Sequence, residues 1–255
     1  MHKQPPVGSW DKAEEWYGDL VGEKGHHYHQ AVILPNIVRL LQLKATTSLL
    51  DLGCGSGVLA RHIPKGVEYV GIDSAKGLLD TAKKQTPQGN FLLGDASQPL
   101  PTKKNDFDAA VFVLSLQNME NGPGAIKQAM HHLKLQGKLL LVLNHPCFRI
   151  PRQSDWGYDE QAKLQYRRMN SYMSAMKIPI ATHPGKGKNS PETYSFHQPL
   201  STYSQWLSDN GLAIIAMEEW CSDKESQGGR ARAENRARKE FPMFLAILSQ
   251  KIVTH

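Results

Sequence analysis

An apolar stretch that runs directly into three glycines, each two residues after the last, most constrains how this chain folds. It reads LLDLGCGSG at residues 49–57, and a helical pattern follows it. Glycine is favoured where the backbone turns sharply and approaches a ligand, because it has no Cβ to obstruct that approach. The N–H groups at the start of the next helix can then face polar atoms of the ligand. We therefore predict a strand, a ligand-binding loop and a helix, in that order.

Short apolar runs alternate with helical patterns through the next hundred residues. The runs are Ser48–Leu52, Val67–Ile72, Asn90–Leu93, Phe107–Leu114 and Lys138–Leu143. They lack polar alternation, as expected of strands that helices cover on both faces. Strand and helix in alternation predict a parallel, doubly wound α/β sheet. Two later runs, Leu212–Glu219 and Met243–Ile252, raise the predicted number of strands to seven.

One helix of this pattern carries an apolar stripe from Ile126 to Leu133, and Gly137 follows it. Glycine is the usual residue just beyond a helix C-terminus, where a left-handed backbone is needed. We expect Gly137 to cap this helix.

Acidic residues follow the predicted second and third strands. Asp73 ends the second run, and Asp95 comes directly after the third. Carboxyl ends of parallel strands meet at one edge of a sheet, which is where ligands bind in open α/β folds. A carboxylate at Asp73 can accept protons from both hydroxyls of a ribose, and one at Asp95 can accept from an adenine amino group.

Four segments together resemble the class I S-adenosylmethionine (AdoMet)-dependent methyltransferases, in particular their small-substrate group. The segments are LLDLGCGSG, GIDSAKGLLDTAKK, LLGDASQPLP and FDAAVFVLSLQNM, and the resemblance covers roughly residues 48–143. It implies AdoMet as the cofactor and a doubly wound, seven-stranded, mostly parallel sheet. The long break in strand–helix alternation after Asn144 separately predicts a cap inserted after the fifth strand.

The resemblance also implies a set of cofactor-binding residues at the ends of the first four strands. They are Asp51, Gly53, Cys54, Gly55, Asp73, Ser74, Asp95, Ala96, Leu114 and Ser115. The glycine loop is expected on the methionine side, with Asp51 orienting the methionine amino group directly or through water. Asp73 is expected on the ribose, Asp95 and Ala96 on the adenine, and the last two residues on the pocket floor.

The chain divides into four predicted parts. Residues 1–28 form an amino-terminal segment over the cofactor, and 29–144 form the cofactor-binding core. Residues 145–197 break the alternation and form a substrate cap, while 198–255 add a helix and a strand pair to the same domain. By the family resemblance, Tyr17 or His29 reaches the methionine carboxylate, although plain packing explains both residues equally well.

His145 is the candidate catalytic residue because it closes the fifth strand, where a histidine can act as a base. The alternative is a structural histidine that fixes the turn at Pro146. Residues 166–173, rich in aromatic and cationic side chains, form either a wall of the substrate pocket or a cap helix that faces only the core.

The residues after the fourth strand indicate the acceptor by what they lack. SLQN at 115–118 is not the (Asp/Asn/Ser)-Pro-Pro-aromatic motif of enzymes that methylate exocyclic adenine or glutamine nitrogens, and no Pro-Cys pair follows. We therefore expect a small-molecule acceptor, methylated on O, N or C. Two other interpretations stay open: a methyltransferase that acts on RNA or protein through the basic segment 228–240, and a non-catalytic AdoMet-binding module.

The net charge of +6 leaves an RNA partner open, because much of the excess lies in that basic segment. No apolar run reaches the roughly 18 residues needed to span a bilayer, so no membrane partner is expected. The three scattered cysteines indicate neither a disulfide framework nor a metal site, and they suit a reducing, cytoplasmic location. The oligomeric state is left open.

Overall fold

The first half of the chain alternates strands and helices as predicted. The computed structural model describes residues 26–181 and 192–252. Its first elements are a π-helical turn (His29–Ile33), α1 (Leu34–Leu41), β1 (Ser48–Leu52), β2 (Glu68–Asp73), α2 (Lys76–Gln85), β3 (Asn90–Leu93), β4 (Phe107–Val113), α3 (Gly122–His132) and β5 (Leu133–Asn144). Two 3₁₀ turns, Leu59–Arg61 and Leu116–Asn118, follow β1 and β4.

Four short strands precede the last part of the fold. They are β6 (Ser154–Asp159), β7 (Leu164–Met169), β8 (Met176–Ala181) and β9 (Glu192–His197). The remaining elements are α4 (Leu200–Asp209), β10 (Leu212–Trp220), α5 (Ala231–Glu240) and β11 (Phe244–Lys251).

Seven strands form the main sheet, in the order β10-β11-β5-β4-β1-β2-β3. β1 pairs in parallel with both β2 and β4, and only β11 runs against its neighbours. The chain thus moves outward from β1 to β3, returns to β4, and then builds the other half of the sheet. The predicted doubly wound, mostly parallel sheet is confirmed, and the carboxyl ends of β1 to β5 meet at one edge.

Both faces of this sheet are buried. All five residues of β1 are buried, and its Leu49 and Leu50 point into apolar clusters on opposite faces. One cluster packs under α1, and the other packs under α3 and α4. The strand sequences therefore lack polar alternation because helices cover both faces of the sheet, as predicted. The buried sheet provides a rigid support for the residues at its carboxyl edge.

Two predicted details of local structure are wrong. The glycine loop is followed by only a short 3₁₀ turn, not by a regular helix. Gly137 does not cap α3, because the helix ends at His132 and the chain enters β5 at once. Lys251 explains the second difference, since its buried Nζ donates to the carbonyls of Met130 (3.0 Å) and Leu133 (2.7 Å).

The insertion after β5 consists of two hairpins, β6–β7 and β8–β9, each antiparallel. Residues 166–168 lie in β7, so the interpretation as a cap helix is wrong. β9 packs against the 3₁₀ turn that follows β4, and β7 contacts α5. The insertion therefore rests on the half of the sheet that contains β4 and β5. Of the helices in the described ranges, none is long and apolar enough to cross a membrane.

Candidate functional site

A cavity of about 310 Å³ opens at the carboxyl edge of the sheet. Eight of the ten predicted cofactor-binding residues line it: Gly53, Gly55, Asp73, Ser74, Asp95, Ala96, Leu114 and Ser115. They come from the ends of β1, β2, β3 and β4, which the parallel pairing brings side by side. The sheet topology is therefore what gathers residues that are far apart in the sequence.

The glycine loop is held close to the ends of β2 and β4. Gly53 has a φ of +75°, and the N–H groups of Gly53 and Cys54 donate to the carbonyl of Ile72 at 2.8 and 3.1 Å. The hydroxyl of Ser115 donates to the carbonyl of Leu52 at 2.6 Å. A Cβ added at Gly53 would lie 2.5 Å from the Cβ of Ser115. Both the backbone angle and the close approach thus require glycine here.

Asp73 joins the glycine loop to the end of β2. Its Oδ2 accepts the N–H of Gly55 at 2.8 Å, and its Oδ1 accepts the N–H of Ala75 at 2.8 Å. A carboxylate has about four acceptor sites, so each oxygen can still accept a hydroxyl proton from a ligand in the cavity. The geometry of this carboxylate suits the two hydroxyls of a ribose.

Asp95 stands one strand further along the same edge. Its Oδ1 accepts both the N–H and the hydroxyl of Ser97, each at 2.8 Å, which fixes the carboxylate in a local turn. Ala96 beside it is buried and presents an apolar surface to the cavity. One polar group and one flat apolar contact are what an adenine ring needs.

Asp51 and Cys54 do not line the main cavity. They line a second, much smaller cavity behind the glycine loop, together with His29. Asp51 is buried and accepts the hydroxyl proton of Tyr69 at 2.7 Å, while its Oδ1 has no hydrogen-bond partner among the described residues. Burial, together with the nearby charge of Asp73, raises the pKa of Asp51 to about 7, against the opposing effect of the Tyr69 hydrogen bond. The role of Asp51 toward a methionine amino group stays a prediction.

His29 borders both cavities. Burial, together with the charges of the neighbouring His26 and His62, lowers its pKa to about 4. Its ring is therefore neutral at physiological pH, and its buried Nδ1 lacks a hydrogen-bond partner within the described chain. The π-helical turn at His29–Ile33 brings this side chain to the site, as π-helical turns often do at functional sites. A contact with the methionine carboxylate remains a prediction, and Tyr17 lies outside the described residues.

His145, the predicted base, is buried and is not among the cavity-lining residues. Its Nε2 is hydrogen-bonded to Glu219 at 2.7 Å, and its Nδ1 accepts the N–H of Cys147 at 3.2 Å. Burial lowers the pKa of His145, against the opposing effect of Glu219. These contacts fit a structural residue that fixes the start of the insertion, so the geometry does not support the predicted catalytic role.

Several cavity residues were not in the predicted set. Asn118 and Met119 follow β4, and Tyr28 and Phe244 line the same end of the cavity. The position just after a strand could have identified the first two. Phe244 has no local signal, because it reaches the site only through the pairing of β11 with β5 opposite Asn144. Among the described residues, no three His, Cys, Asp or Glu side chains form a group that could hold a metal ion.

Comparisons with known proteins agree with this geometry. The methyltransferase domain family matches residues 50–141. The chain is 25% identical over 181 residues to a demethylmenaquinone methyltransferase of Paenarthrobacter aurescens, covering 70% of this chain and 67% of that protein. It is 34% identical over 166 residues to a 2-phytyl-1,4-naphtoquinone methyltransferase of Nostoc sp., covering 61% of this chain and 65% of that protein.

A second kind of relative matches over a shorter stretch. An 18S rRNA (guanine-N(7))-methyltransferase of Mus musculus is 39% identical over 70 residues, which are 27% of this chain and 25% of that protein. The chain thus spans between a quarter and two thirds of the length of these three relatives.

A solved structure shows the same fold. The crystal structure of an S-adenosylmethionine-dependent methyltransferase from Mesorhizobium loti superposes with a TM-score of 0.63 at 22% identity, covering 84% of this chain and 96% of that chain. The chain thus has the fold of the class I S-adenosylmethionine-dependent methyltransferases, and its residues 50–141 match the methyltransferase domain family. Its cofactor is AdoMet, and the residues present fit it: a glycine loop that a Cβ would obstruct, and carboxylates for the ribose and the adenine.

Replacing Gly53 by alanine should destabilise the protein more than replacing a glycine that differs from it only in having no close neighbours. Gly228 also has a positive φ, of +97°, but an added Cβ there meets nothing within 4 Å. We expect Gly53→Ala to lower the free energy of unfolding by roughly 2–4 kcal/mol, from backbone strain and overpacking. Gly228→Ala should cost about 1 kcal/mol. Urea denaturation measures both, and equal losses would contradict the close approach of Gly53 to Ser115.

Asp73→Asn should remove charge-assisted acceptors from the proposed ribose site. We expect the affinity for S-adenosylhomocysteine, measured by calorimetry, to fall about a hundredfold, or about 3 kcal/mol. Asp80→Asn is the matched control, because Asp80 lies half-exposed on α2 and pairs with Lys76. Wild-type affinity in a folded Asp73→Asn protein would refute this assignment.

The raised pKa of Asp51 predicts a pH-dependent stability. The folded state keeps a proton on Asp51 up to about pH 7, whereas the unfolded chain releases it near its ordinary value of 3.8. The contribution of this carboxyl to stability is therefore complete below about pH 4 and is lost as the pH rises toward 7. In denaturant unfolding from pH 4 to 8, the stability of wild type relative to Asp51→Asn should decline as the pH rises, while the curve of Asp80→Asn should parallel that of wild type. Parallel curves for Asp51→Asn and wild type would show that Asp51 ionises normally in the fold.

His145→Ala separates the structural from the catalytic role. Loss of the Glu219 and Cys147 contacts should lower the thermal midpoint, while turnover per folded molecule stays within a few-fold of wild type. Thermal melts and release of S-adenosylhomocysteine measure the two effects. A loss of turnover of about a hundredfold at unchanged stability would instead support His145 as the base.

Proposed function

We propose that this protein transfers the methyl group of AdoMet to a small-molecule acceptor and releases S-adenosylhomocysteine. The observation that carries the proposal is that the cavity extends beyond the residues suited to the nucleoside. Asp73 and Asp95 mark one end, after β2 and β3. Met119, after β4, and Phe244, at the start of β11, mark the other end.

The strand order supports this division of the cavity. Since the sheet runs β11-β5-β4-β1-β2-β3, the nucleoside would lie over β1 to β3 and the acceptor over β4, β5 and β11. The acceptor end is bordered by Tyr28, Met119 and Phe244, with Asn118 as a polar group among them. Such a wall suits a flat, largely apolar molecule that one polar contact orients.

The residues of the chain contribute mainly by positioning. When bound, AdoMet supplies an electrophilic methyl group on a sulfonium. The residues at the acceptor end would hold an electron pair of the acceptor toward that methyl group, and the acceptor would release its proton to water or to a base. The apolar walls hold the acceptor close and exclude water, which is worth several kcal/mol in reactions of this kind. His29 is neutral at physiological pH and can take part only as a neutral hydrogen-bonding group.

A quinol-like ring is the acceptor class that we favour. The relatives that match over most of the chain are named as methyltransferases of demethylmenaquinone and of 2-phytyl-1,4-naphtoquinone. The apolar acceptor end of the cavity is compatible with such rings. We also propose a cytoplasmic location, which the three free cysteines support.

We further propose that residues 145–197 are the cap that selects the acceptor. β9 rests on the turn Leu116–Asn118, beside the acceptor end of the cavity. Lys177 of β8 pairs with Glu120 at 3.0 Å, which ties this hairpin to the residues after β4. Movement of the hairpin would therefore change the walls around the acceptor.

RNA is the second candidate acceptor, because a short match to rRNA methyltransferases accompanies a basic helix. Arg232, Arg236 and Lys239 of α5 are exposed. Arg230 at its start already pairs with Glu160 and lies over the ring of Tyr158. If RNA is the acceptor, replacing Arg232 and Arg236 by serine should weaken RNA binding and flatten its salt dependence.

Methyl-labelled AdoMet tests the proposal directly. Incubated with demethylmenaquinol in detergent, the wild-type protein should release one S-adenosylhomocysteine for each labelled quinol, and Asp73→Asn should release little. With a cell extract, the label should appear in the small-molecule fraction. Label found only in RNA or protein would contradict the small-molecule proposal, and no release of S-adenosylhomocysteine in any mixture would favour a binding module without activity.

A further inference from the structure

Two arginines of the insertion lie over a single aromatic ring, and a third arginine, from α5, lies near them. The guanidinium groups of Arg149 and Arg167 lie 5.5 and 5.0 Å from the ring centroid of Trp156. Arg238 of α5 is close enough for its charge to act on Arg149. All three side chains are partly buried, and Phe241 packs edge-on against Trp156. We call Arg149, Arg167 and Arg238 the arginine cluster.

No described carboxylate pairs with Arg149. Within the described residues its guanidinium makes no hydrogen bond or ion pair, and its Nε is shielded from solvent without an acceptor. The Nε of Arg238 is likewise shielded from solvent without an acceptor. Two acidic residues of the neighbouring elements have other partners, since Glu219 is hydrogen-bonded to His145 and Glu160 pairs with Arg230.

Within the arginine cluster, the charge of Asp155 affects the pKa of Arg167, which it raises against the effect of burial. Arg167 itself is held by the carbonyl of Phe148 at 2.8 Å and the hydroxyl of Ser154 at 2.9 Å. Burial, with the charges of Arg167 and Arg238, lowers the pKa of Arg149 to about 10. Like charges held together in partial burial are unfavourable unless an anion joins them.

The position of the arginine cluster points to the acceptor. Arg149 lies in the turn that follows β5, where its N–H donates to the carbonyl of His145 at 2.7 Å. β5 lies between β4 and β11, the two strands that border the acceptor end of the cavity. The ring of Tyr28, which lines the cavity, packs edge-on against Phe244 at 5.9 Å, and Phe244 pairs with Asn144, the residue before His145. The arginine cluster therefore lies beside the acceptor end and on the opposite side from Asp95.

We propose that the arginine cluster binds an oxyanion, a carboxylate or a phosphate, carried by the acceptor. This inference rests on the proposed methyl transfer to a small molecule. Arg149 supplies the unpaired donors, Arg238 adds charge, and Trp156 and Phe241 offer aromatic surface to a ring that carries the anion. Partial burial favours a small ligand over RNA, because a nucleic acid would instead meet the exposed basic residues of α5.

Paired aromatic probes test the oxyanion site. With S-adenosylhomocysteine saturating the cofactor site, calorimetry compares 2-naphthoate and 2-naphthyl phosphate with the neutral 2-naphthamide. We expect wild type to bind at least one of the two anions roughly tenfold or more tightly than the amide, since hydrogen bonds to charged groups are the stronger ones. The anion that binds more tightly identifies the group.

Arg149→Gln should remove this preference. Arg168→Gln is the matched control, because Arg168 is the exposed neighbour of Arg167 on β7 and should keep the preference. Arg149→Lys retains the positive charge and should keep part of the anion preference. This variant replaces Arg149→Gln in the test if Arg149→Gln does not fold. Circular dichroism melts establish that each variant is folded.

The outcomes separate this inference from the proposed function. If S-adenosylhomocysteine does not bind wild type, the proposed function fails. If it binds but the anions and the amide have equal affinity, only the oxyanion site is overturned. An anion preference that Arg149→Gln and Arg149→Lys both leave unchanged would also overturn it.

Discussion

The carboxylate of Asp73 is the interaction on which the rest of the site depends. One oxygen accepts the N–H of Gly55 and the other accepts the N–H of Ala75. A single side chain at the end of β2 thus fixes both the glycine loop after β1 and the start of the segment that leads to α2. This link acts together with the bonds from the N–H groups of Gly53 and Cys54 to the carbonyl of Ile72, and the three bonds position the loop beside β2.

The order of the strands in the sheet divides the cavity at the carboxyl edge into two ends. Because the chain first builds β1 to β3 and then returns to β4, one half of the carboxyl edge holds carboxylates and the other half holds apolar side chains. The first half suits AdoMet, and the second half leaves room for an acceptor. The insertion after β5 rests on the second half, which is where the proposed cap would contact an acceptor.

The sequence could predict features that depend on local pattern. Buried strands were recognisable from their unbroken apolar runs, and Asp73 and Asp95 from their position after such runs. Asp51 and Cys54 were placed on the correct loop, but they face the small cavity behind it. Side chains of successive residues in an extended segment point in opposite directions, and a motif alone does not show which direction faces the ligand.

The remaining features depend on residues distant in the sequence. The carbonyls of Met130 and Leu133 at the end of α3 are satisfied by Lys251, which lies 118 residues after Leu133. The Nε2 of His145 is hydrogen-bonded to Glu219, which comes 74 residues later. No pattern around Gly137 or His145 contains that information.

Hydrogen exchange, with and without S-adenosylhomocysteine, tests the central claim most directly, namely that the cofactor binds along the ends of β1 to β4. The account predicts that the ligand slows amide exchange in residues 53–57, 73–75, 94–96 and 114–119, while exchange in the exposed residues of α5 stays unchanged. Unchanged exchange at 53–57 and 73–75 with saturating ligand would contradict it, because a nucleoside bound at Asp73 cannot leave those amides unaffected.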